Sequence, residues 1–317
     1  MSSKKKSIQP EIIPASFATY TNLQDLIEIL GEKAHLLRTL KPFDFGKRVR
    51  NADEATALLN QIANLTHEAL GLHNCVPKKP CLVLTEKLTK LPAITLRLYL
   101  VYLPISLLLL YIVFSVPTGS LAFLIALAAV ILVLAVPYLA YRRTRLNLEH
   151  SCKYRRGATN RAVIEIDQLR KIQFQSYLTH EYAHHLYYEL GGRSDEAWLR
   201  EGWARLVQWH VMQRLYRSEE NSAFLHHVLL QIVGELKFAC IVLSSILRVR
   251  LPSKVRRIRT IYRNDPFYRL LTGTPGFNLQ SLTRHAVGTA SCFLAERREG
   301  PDRALRESLQ KPFGASH

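Results

Sequence analysis

The sequence predicts a mainly α-helical protein with a small β-sheet and a two-helix transmembrane hairpin. Three observations carry this expectation. Several stretches space their apolar residues as helices do, two short runs read as strands, and no charged residue stands between positions 98 and 141. The chain divides on this reading into residues 1–91, a helical segment with the first strand, residues 92–141, the hairpin, and residues 142–317, a larger domain of helices with the second strand. At 317 residues the chain has enough material for a sizeable core.

Taken in order, residues 1–15 are polar and basic. Apolar residues then recur at helical spacing over 23–37 and 55–70. Residues 80–85 read as a strand. The run Ala162-Val163-Ile164-Glu165-Ile166-Asp167 reads as another, with Val163 and Glu165 on one face and Ile164 and Ile166 on the other. Residues 171–190 contain no Pro or Gly and predict a helix that Gly191-Gly192 stops. Ser194 and Asp195 are suited to cap a second helix over 196–216. A third apolar stretch, 224–247, contains Glu235 and Lys237 near its centre, which predicts a buried or amphipathic helix and not a span. A last helix is expected over 279–299. No internal repeat or long low-complexity segment stands out.

The uncharged region divides at Pro117-Thr118 into 98–116 and 119–141, each about the ~20 residues that cross a bilayer core. Tyr99, Tyr102, Tyr138 and Tyr141 sit near the outer ends, as interfacial aromatics do. Lys87, Lys90 and Arg97 flank one end and Arg142, Arg143 and Arg145 the other. By the positive-inside rule both termini are cytoplasmic, and a two-pass protein of a bacterial inner membrane is expected. The hairpin starts too late for a cleaved signal peptide, and residues 1–6 lack an apolar core.

The chemistry lies in His180-Glu181-Tyr182-Ala183-His184. Residues four apart share a helical face, so His180 and His184 can direct two imidazoles at one zinc ion. Glu181 is placed to act as general base on a water molecule. A catalytic zinc needs a third protein ligand and an open position. Glu201, in Trp198-Leu199-Arg200-Glu201-Gly202-Trp203-Ala204, is the natural third ligand, returned to the histidines by the second helix. The near-copy at His67-Glu68 fails, because Gly71 stands four residues after His67. His185 points about 100° away from His184 and reads as a packing residue.

The pairing of His180, Glu181 and His184 with Trp198, Leu199, Glu201, Gly202 and Ala204 resembles the gluzincin metallopeptidases, the group around aminopeptidase N. The resemblance implies a zincin-like α+β fold, zinc held by His180, His184 and Glu201, and hydrolysis of a peptide or protein substrate with Glu181 as general base. Sixteen residues separate His184 from Glu201, slightly fewer than in the aminopeptidases, which points to a distant relative. His285-Ala286-Val287-Gly288 resembles the family's Y-x-x-G helix, with His285 at the position of the oxyanion-stabilising tyrosine. His285 is then a catalytic residue, a surface histidine is the alternative, and Tyr262 and Tyr268 are other candidates for the same role. In zincin-like folds a small sheet precedes the active-site helix. One candidate strand lies before the hairpin and one after it, so the hairpin reads as an insertion into the edge of the catalytic domain.

Net charge is +18, and much of it is local: Arg248, Arg250, Lys254, Arg256, Arg257, Arg259 and Arg263. Beside a membrane hairpin such a run is expected to attract anionic lipid. No nucleic-acid motif accompanies it, and no nucleic-acid partner is expected. The five cysteines are scattered without a C-x-x-C pair and read as reduced thiols. His73, Cys75 and Cys81 fit no zinc spacing. Two alternatives remain beside the metallopeptidase: a catalytically inactive zinc-stabilised membrane scaffold or partner-binding protein, and a membrane-associated nucleic-acid-binding protein that uses the basic run.

Overall fold

The computed structural model describes residues 17, 21–40, 44–72, 78–85, 100, 152–156, 162–192, 197–258 and 279–310, with 103–105, 107–115, 117, 120–125 and 127–131. The described elements are α1 (Leu23–Thr39), α2 (Ala52–Leu70), β1 (Cys81–Thr85), α3 (Leu103–Ser115), α4 (Leu121–Ile131), β2 (Lys153–Arg156), β3 (Ala162–Asp167), α5 (Lys171–Glu189), α6 (Ala197–Glu219), α7 (Ala223–Ile246), α8 (Ser253–Arg257), α9 (Leu279–Glu299) and α10 (Pro301–Gln310). The protein is mostly helical, with one three-stranded sheet in the order β1–β3–β2. Strand β2 was absent from the sequence expectation. Its residues, Lys153-Tyr154-Arg155-Arg156, are polar and mostly exposed, so no apolar alternation announces them. In β3 the expected faces hold, with Ile164 and Ile166 fully buried.

Two compact units can be distinguished. The first comprises Met1–Leu82, Tyr154–Ile164 and Leu169–His317, the second Val83–Lys153 and Glu165–Gln168. In the first unit α6 is central. It packs most extensively on α9 and also against α5, α7 and α2. Helix α1 lies on α7, and α2 on α5.

Local chemistry explains where these helices begin and end. Asn22 and Asn51 cap α1 and α2, their side-chain oxygens accepting from the backbone N–H of Gln24 (2.9 Å) and Glu54 (2.7 Å). Helix α5 has no side-chain cap. Its first N–H groups are satisfied instead by backbone carbonyls of the preceding segment: Lys171 donates to Lys47 O (2.8 Å) and Ile172 to Phe45 O (3.2 Å). The helix stops where Gly191 takes φ +75°, which lets Gly192 N–H return to Tyr187 O (2.8 Å). The expected cap of α6 at Ser194 and Asp195 lies outside the described residues.

Helix α7 is the one described helix long and apolar enough to cross a membrane. It is largely buried against α1, α6 and α9. Its two central charges both find partners. The Glu235 carboxylate accepts from Arg205 Nη2 (2.6 Å) and Nε (3.0 Å) and from Thr289 Oγ1 (2.6 Å). Arg205 also donates to Gln208 and to Gln231 (2.6 Å), and Gln208 Nε2 donates to Ser176 O and Oγ, both at 2.8 Å. One buried polar network thus ties α5, α6, α7 and α9 together. The Lys237 ammonium donates to the carbonyls of Arg256 (3.3 Å) and Ile258.

In the second unit, the described parts of the expected hairpin are α3 and α4. Val113 and Val130 are buried against each other's surroundings, with Leu109, Leu110 and Phe123 packed on them. Both described helices are shorter than a bilayer span, and the remainder of 98–141 lies outside the described residues. Ser120 caps the start of α4, its hydroxyl accepting from Phe123 N–H (3.1 Å).

Candidate metal centre

The centre forms where α5, α6, α9 and strand β2 meet. Helix α5 carries no apolar stripe, because its buried face holds Gln175, Ser176, Thr179 and His180 beside Phe174, Leu178 and Leu186. His180 and His184, one turn apart, present their rings at 4.8 Å between centroids and 87° between planes. Glu201, on the second turn of α6, places Oε2 3.3 Å from His180 Nε2 and 3.2 Å from His184 Nε2. Among the described residues, His180, His184 and Glu201 form a group able to hold a metal ion, their ligand atoms all within 4.8 Å of one another.

These separations match the donor set of a small divalent ion. With zinc–ligand bonds of about 2.0–2.1 Å, tetrahedral ligand atoms stand about 3.3 Å apart. Two neutral-capable imidazoles and one carboxylate are the ligand chemistry that zinc accepts. The side chains are unevenly enclosed: His180 is 8% exposed and His184 13%, against 25% for Glu201. Glu201 is thus the most exposed of the three.

Electrostatics sort the carboxylates. Burial alone would raise Glu201, but the His285 and His184 charges and hydrogen bonds from His180 and His184 outweigh it and hold the carboxyl well below its usual range. Burial drives His180 well below an ordinary histidine. At His184 burial acts the same way, but the Glu201 charge and hydrogen bond overcome it and raise the pKa. Glu181 is raised, chiefly by burial, with His184 and the Tyr154 N–H pulling the other way. Two neighbouring carboxylates are thus pushed apart: Glu201 is ionised and ligand-like, and Glu181 is the better proton acceptor.

Glu181 does not join the ligand group. Its Oε2 accepts the backbone N–H of Tyr154 on β2 at 2.7 Å. The Tyr154 ring stacks on Tyr188 (5.8 Å between centroids) and meets His185 at 5.8 Å. Sequence reading missed this support, since a backbone donor leaves no residue-type signal. His185 contacts Lys78 O through Nε2, in keeping with a packing role. His67, the decoy, accepts or donates at Nε2 to the Tyr182 hydroxyl, 3.0 Å away, outside the ligand group.

His285, on α9, lies with Nδ1 3.3 Å from Glu201 Oε2 and its ring 5.9 Å from that of His180. Nδ1 is buried and has no aligned hydrogen-bond partner. The structure thus brings His285 beside Glu201 and not to a remote surface. Tyr262 and Tyr268 lie outside the described residues. Gly202 and Gly288, the glycines of the two motifs, bring α6 and α9 together backbone to backbone: a Cβ on Gly202 would fall 2.1 Å from Gly288 O.

Comparison of the chain with protein-family models, with curated proteins and with solved structures finds no match.

Proposed function

We propose that the protein is a membrane-anchored zinc metallopeptidase of gluzincin type, with zinc bound by His180, His184 and Glu201. The observation that carries this reading is the placement of two carboxylates at one cluster, one at ligand spacing and one held beside it by the Tyr154 N–H. Glu201 Oε2 lies at ligand spacing from both imidazoles. Glu181, raised by burial, stands beside the group without belonging to it. A purely structural zinc site has no use for such a base.

A zinc ion held there would supply Lewis-acid polarisation of a scissile carbonyl and would acidify a water molecule. The chain's own residues do the rest. Tyr154 N–H fixes Glu181 Oε2 and so orients the carboxylate, whose other oxygen takes the proton of the attacking water and passes it to the leaving amine. His285, beside Glu201, donates a hydrogen bond to the oxyanion that develops on the carbonyl. The substrate is a peptide or protein segment that enters from the Glu201 side.

The membrane anchor in this proposal is the pair α3 and α4. Their exposed residues are mostly apolar: Leu103, Leu107, Leu108, Tyr111, Leu121 and Leu124 are exposed, and Phe114 is 85% exposed. Such an apolar surface is the expected form of a lipid-facing hairpin. With both flanks rich in Lys and Arg, the termini are cytoplasmic.

The test is zinc per chain by elemental analysis of detergent-purified protein, wild type beside Glu201→Ala. About one zinc in the wild type, sharply reduced in the variant, is the expected result. No zinc in wild-type protein prepared without chelators would overturn the proposal.

A further inference from the structure

Helix α7 ends in an unusual way. Arg248 takes a left-handed backbone conformation (φ +55°), a position glycine normally fills. Val249 N–H then returns to Ser244 O (3.0 Å) and Arg248 N–H to Ser245 O (3.4 Å). The turn this creates faces outward with aliphatic side chains: Ile241, Ile246 and Leu247 are each more than two-fifths exposed, and Val249 is 53% exposed. Arg248, Arg250, Lys254 and Arg257 are exposed on the same stretch. From Lys237 to Asn264 the chain contains no acidic residue.

A cleft of about 390 Å³ adjoins this stretch through Arg257 and Ile258. Ala34, Leu37, Val233 and Ile258 give it an apolar lining, and Arg38 and Arg257 add two guanidinium groups. Cations beside an apolar lining match an amphiphile, which offers a phosphate and a hydrocarbon chain together.

We propose that the end of α7, α8 and this cleft form a docking surface for an anionic phospholipid bilayer. The arginines and Lys254 meet lipid phosphates, and Ile246, Leu247 and Val249 enter the boundary between headgroups and acyl chains. The exposed aliphatic residues distinguish a bilayer from nucleic acid. A phosphodiester backbone rewards the cations alone and leaves these side chains in water. The surface is separate from the metal centre and does not depend on its chemistry.

The test uses the full chain in lipid nanodiscs, with Cys75, Cys81 and Cys152 replaced by Ser and an environment-sensitive dye on Val249→Cys. Discs of phosphatidylcholine alone are compared with discs that also contain phosphatidylglycerol, each with brominated acyl chains as a depth-limited quencher. The expected result is blue-shifted, quenched emission in the anionic discs only, reversed by salt and lost on Arg248→Glu/Arg250→Glu/Lys254→Glu. Far-ultraviolet dichroism and the urea midpoint check that this variant folds. Equal quenching in both discs, or quenching untouched by charge reversal, would overturn the proposal. So would displacement by inorganic phosphate at an ionic strength where sodium chloride has no effect, which would mark a soluble-phosphate site, or by single-stranded RNA, which would mark a nucleic-acid surface.

Discussion

Gly202 on α6 and Gly288 on α9 meet backbone to backbone. A Cβ on Gly288 would stand 1.9 Å from Trp198 O, and one on Gly202 would stand 2.1 Å from Gly288 O. Glu201 is the neighbour of one glycine, and His285 lies one helical turn before the other. The crossing therefore sets the 3.3 Å approach of His285 Nδ1 to Glu201 Oε2. It gives a physical reason for glycine beside each of these two residues.

Gly202→Ala or Gly288→Ala should force α6 and α9 apart. The contact is with backbone, which cannot swing aside as a side chain can. Overpacking of this kind costs about 1–3 kcal/mol or more. Urea unfolding should show the loss, and zinc content should fall with it. An alanine variant with wild-type stability and zinc content would refute the crossing as described.

Glu181→Gln should keep zinc and lose hydrolysis. The side chain is nearly isosteric and can still accept the Tyr154 N–H, but it cannot take a proton. General-base removal lowers rates by about 10²–10⁴-fold. Zinc content and turnover of a cleaved peptide, measured on one preparation, separate the roles. Full activity in the variant would exclude Glu181 as the base.

The Arg205–Glu235 pair is buried, with the two side chains 7% and 4% exposed. Arg205→Met alone leaves an uncompensated carboxylate and should destabilise the protein by about 3–5 kcal/mol. Arg205→Met/Glu235→Leu removes both charges and should recover most of that loss. A double-mutant cycle from thermal or urea unfolding checks it. Additive effects in the double variant would contradict the pairing.

His67 should make stability pH-dependent. Burial, with the Lys79 charge added, lowers its pKa, and burial raises that of Tyr182. Tyr182 thus stays protonated, and its hydroxyl shares a 3.0 Å hydrogen bond with Nε2 of an unprotonated His67. A lowered histidine pKa means that the unfolded chain takes up the proton first. Stability is then fully present above the unfolded value of about 6.5 and falls as pH drops below it. Urea midpoints from about pH 8 to about pH 5 should fall more steeply for wild type than for His67→Gln. Parallel pH profiles would rule out this role.

Residues 142–317 expressed alone should fold poorly. The fragment lacks α1, which covers α7, and α2, which covers α5 beside the metal centre. It also lacks the Phe45 and Lys47 carbonyls that satisfy the start of α5. A stable, zinc-loaded fragment would show instead that the N-terminal helices are a separate module.

Much of the site was legible because its geometry is local. The i, i+4 spacing of His180 and His184 needs only a helix to put both rings on one face, and Gly191-Gly192 marks where that helix stops. Glu235 and Lys237 were likewise legible as charges of α7 that need partners, and each has one. Strand β2 left no trace in residue type, because an exposed, polar four-residue strand has no apolar face to alternate. Tyr154's part at Glu181 uses a backbone N–H, which every residue but proline owns.

The sequence by itself determined α1, α2, α5, α6, α7 and α9, the strands with an apolar face, and the residue types able to bind a metal, since these follow from periodicity and chemistry along the chain; the short helices α8 and α10 were not among its expectations. Tertiary structure decided the distances: Glu201 Oε2 within 3.3 Å of both imidazoles, His285 Nδ1 3.3 Å from Glu201, and Glu181 held by the Tyr154 N–H. Those outcomes depend on contacts between residues up to about a hundred positions apart. They are set by one backbone-to-backbone helix crossing and one strand edge, which no local pattern encodes.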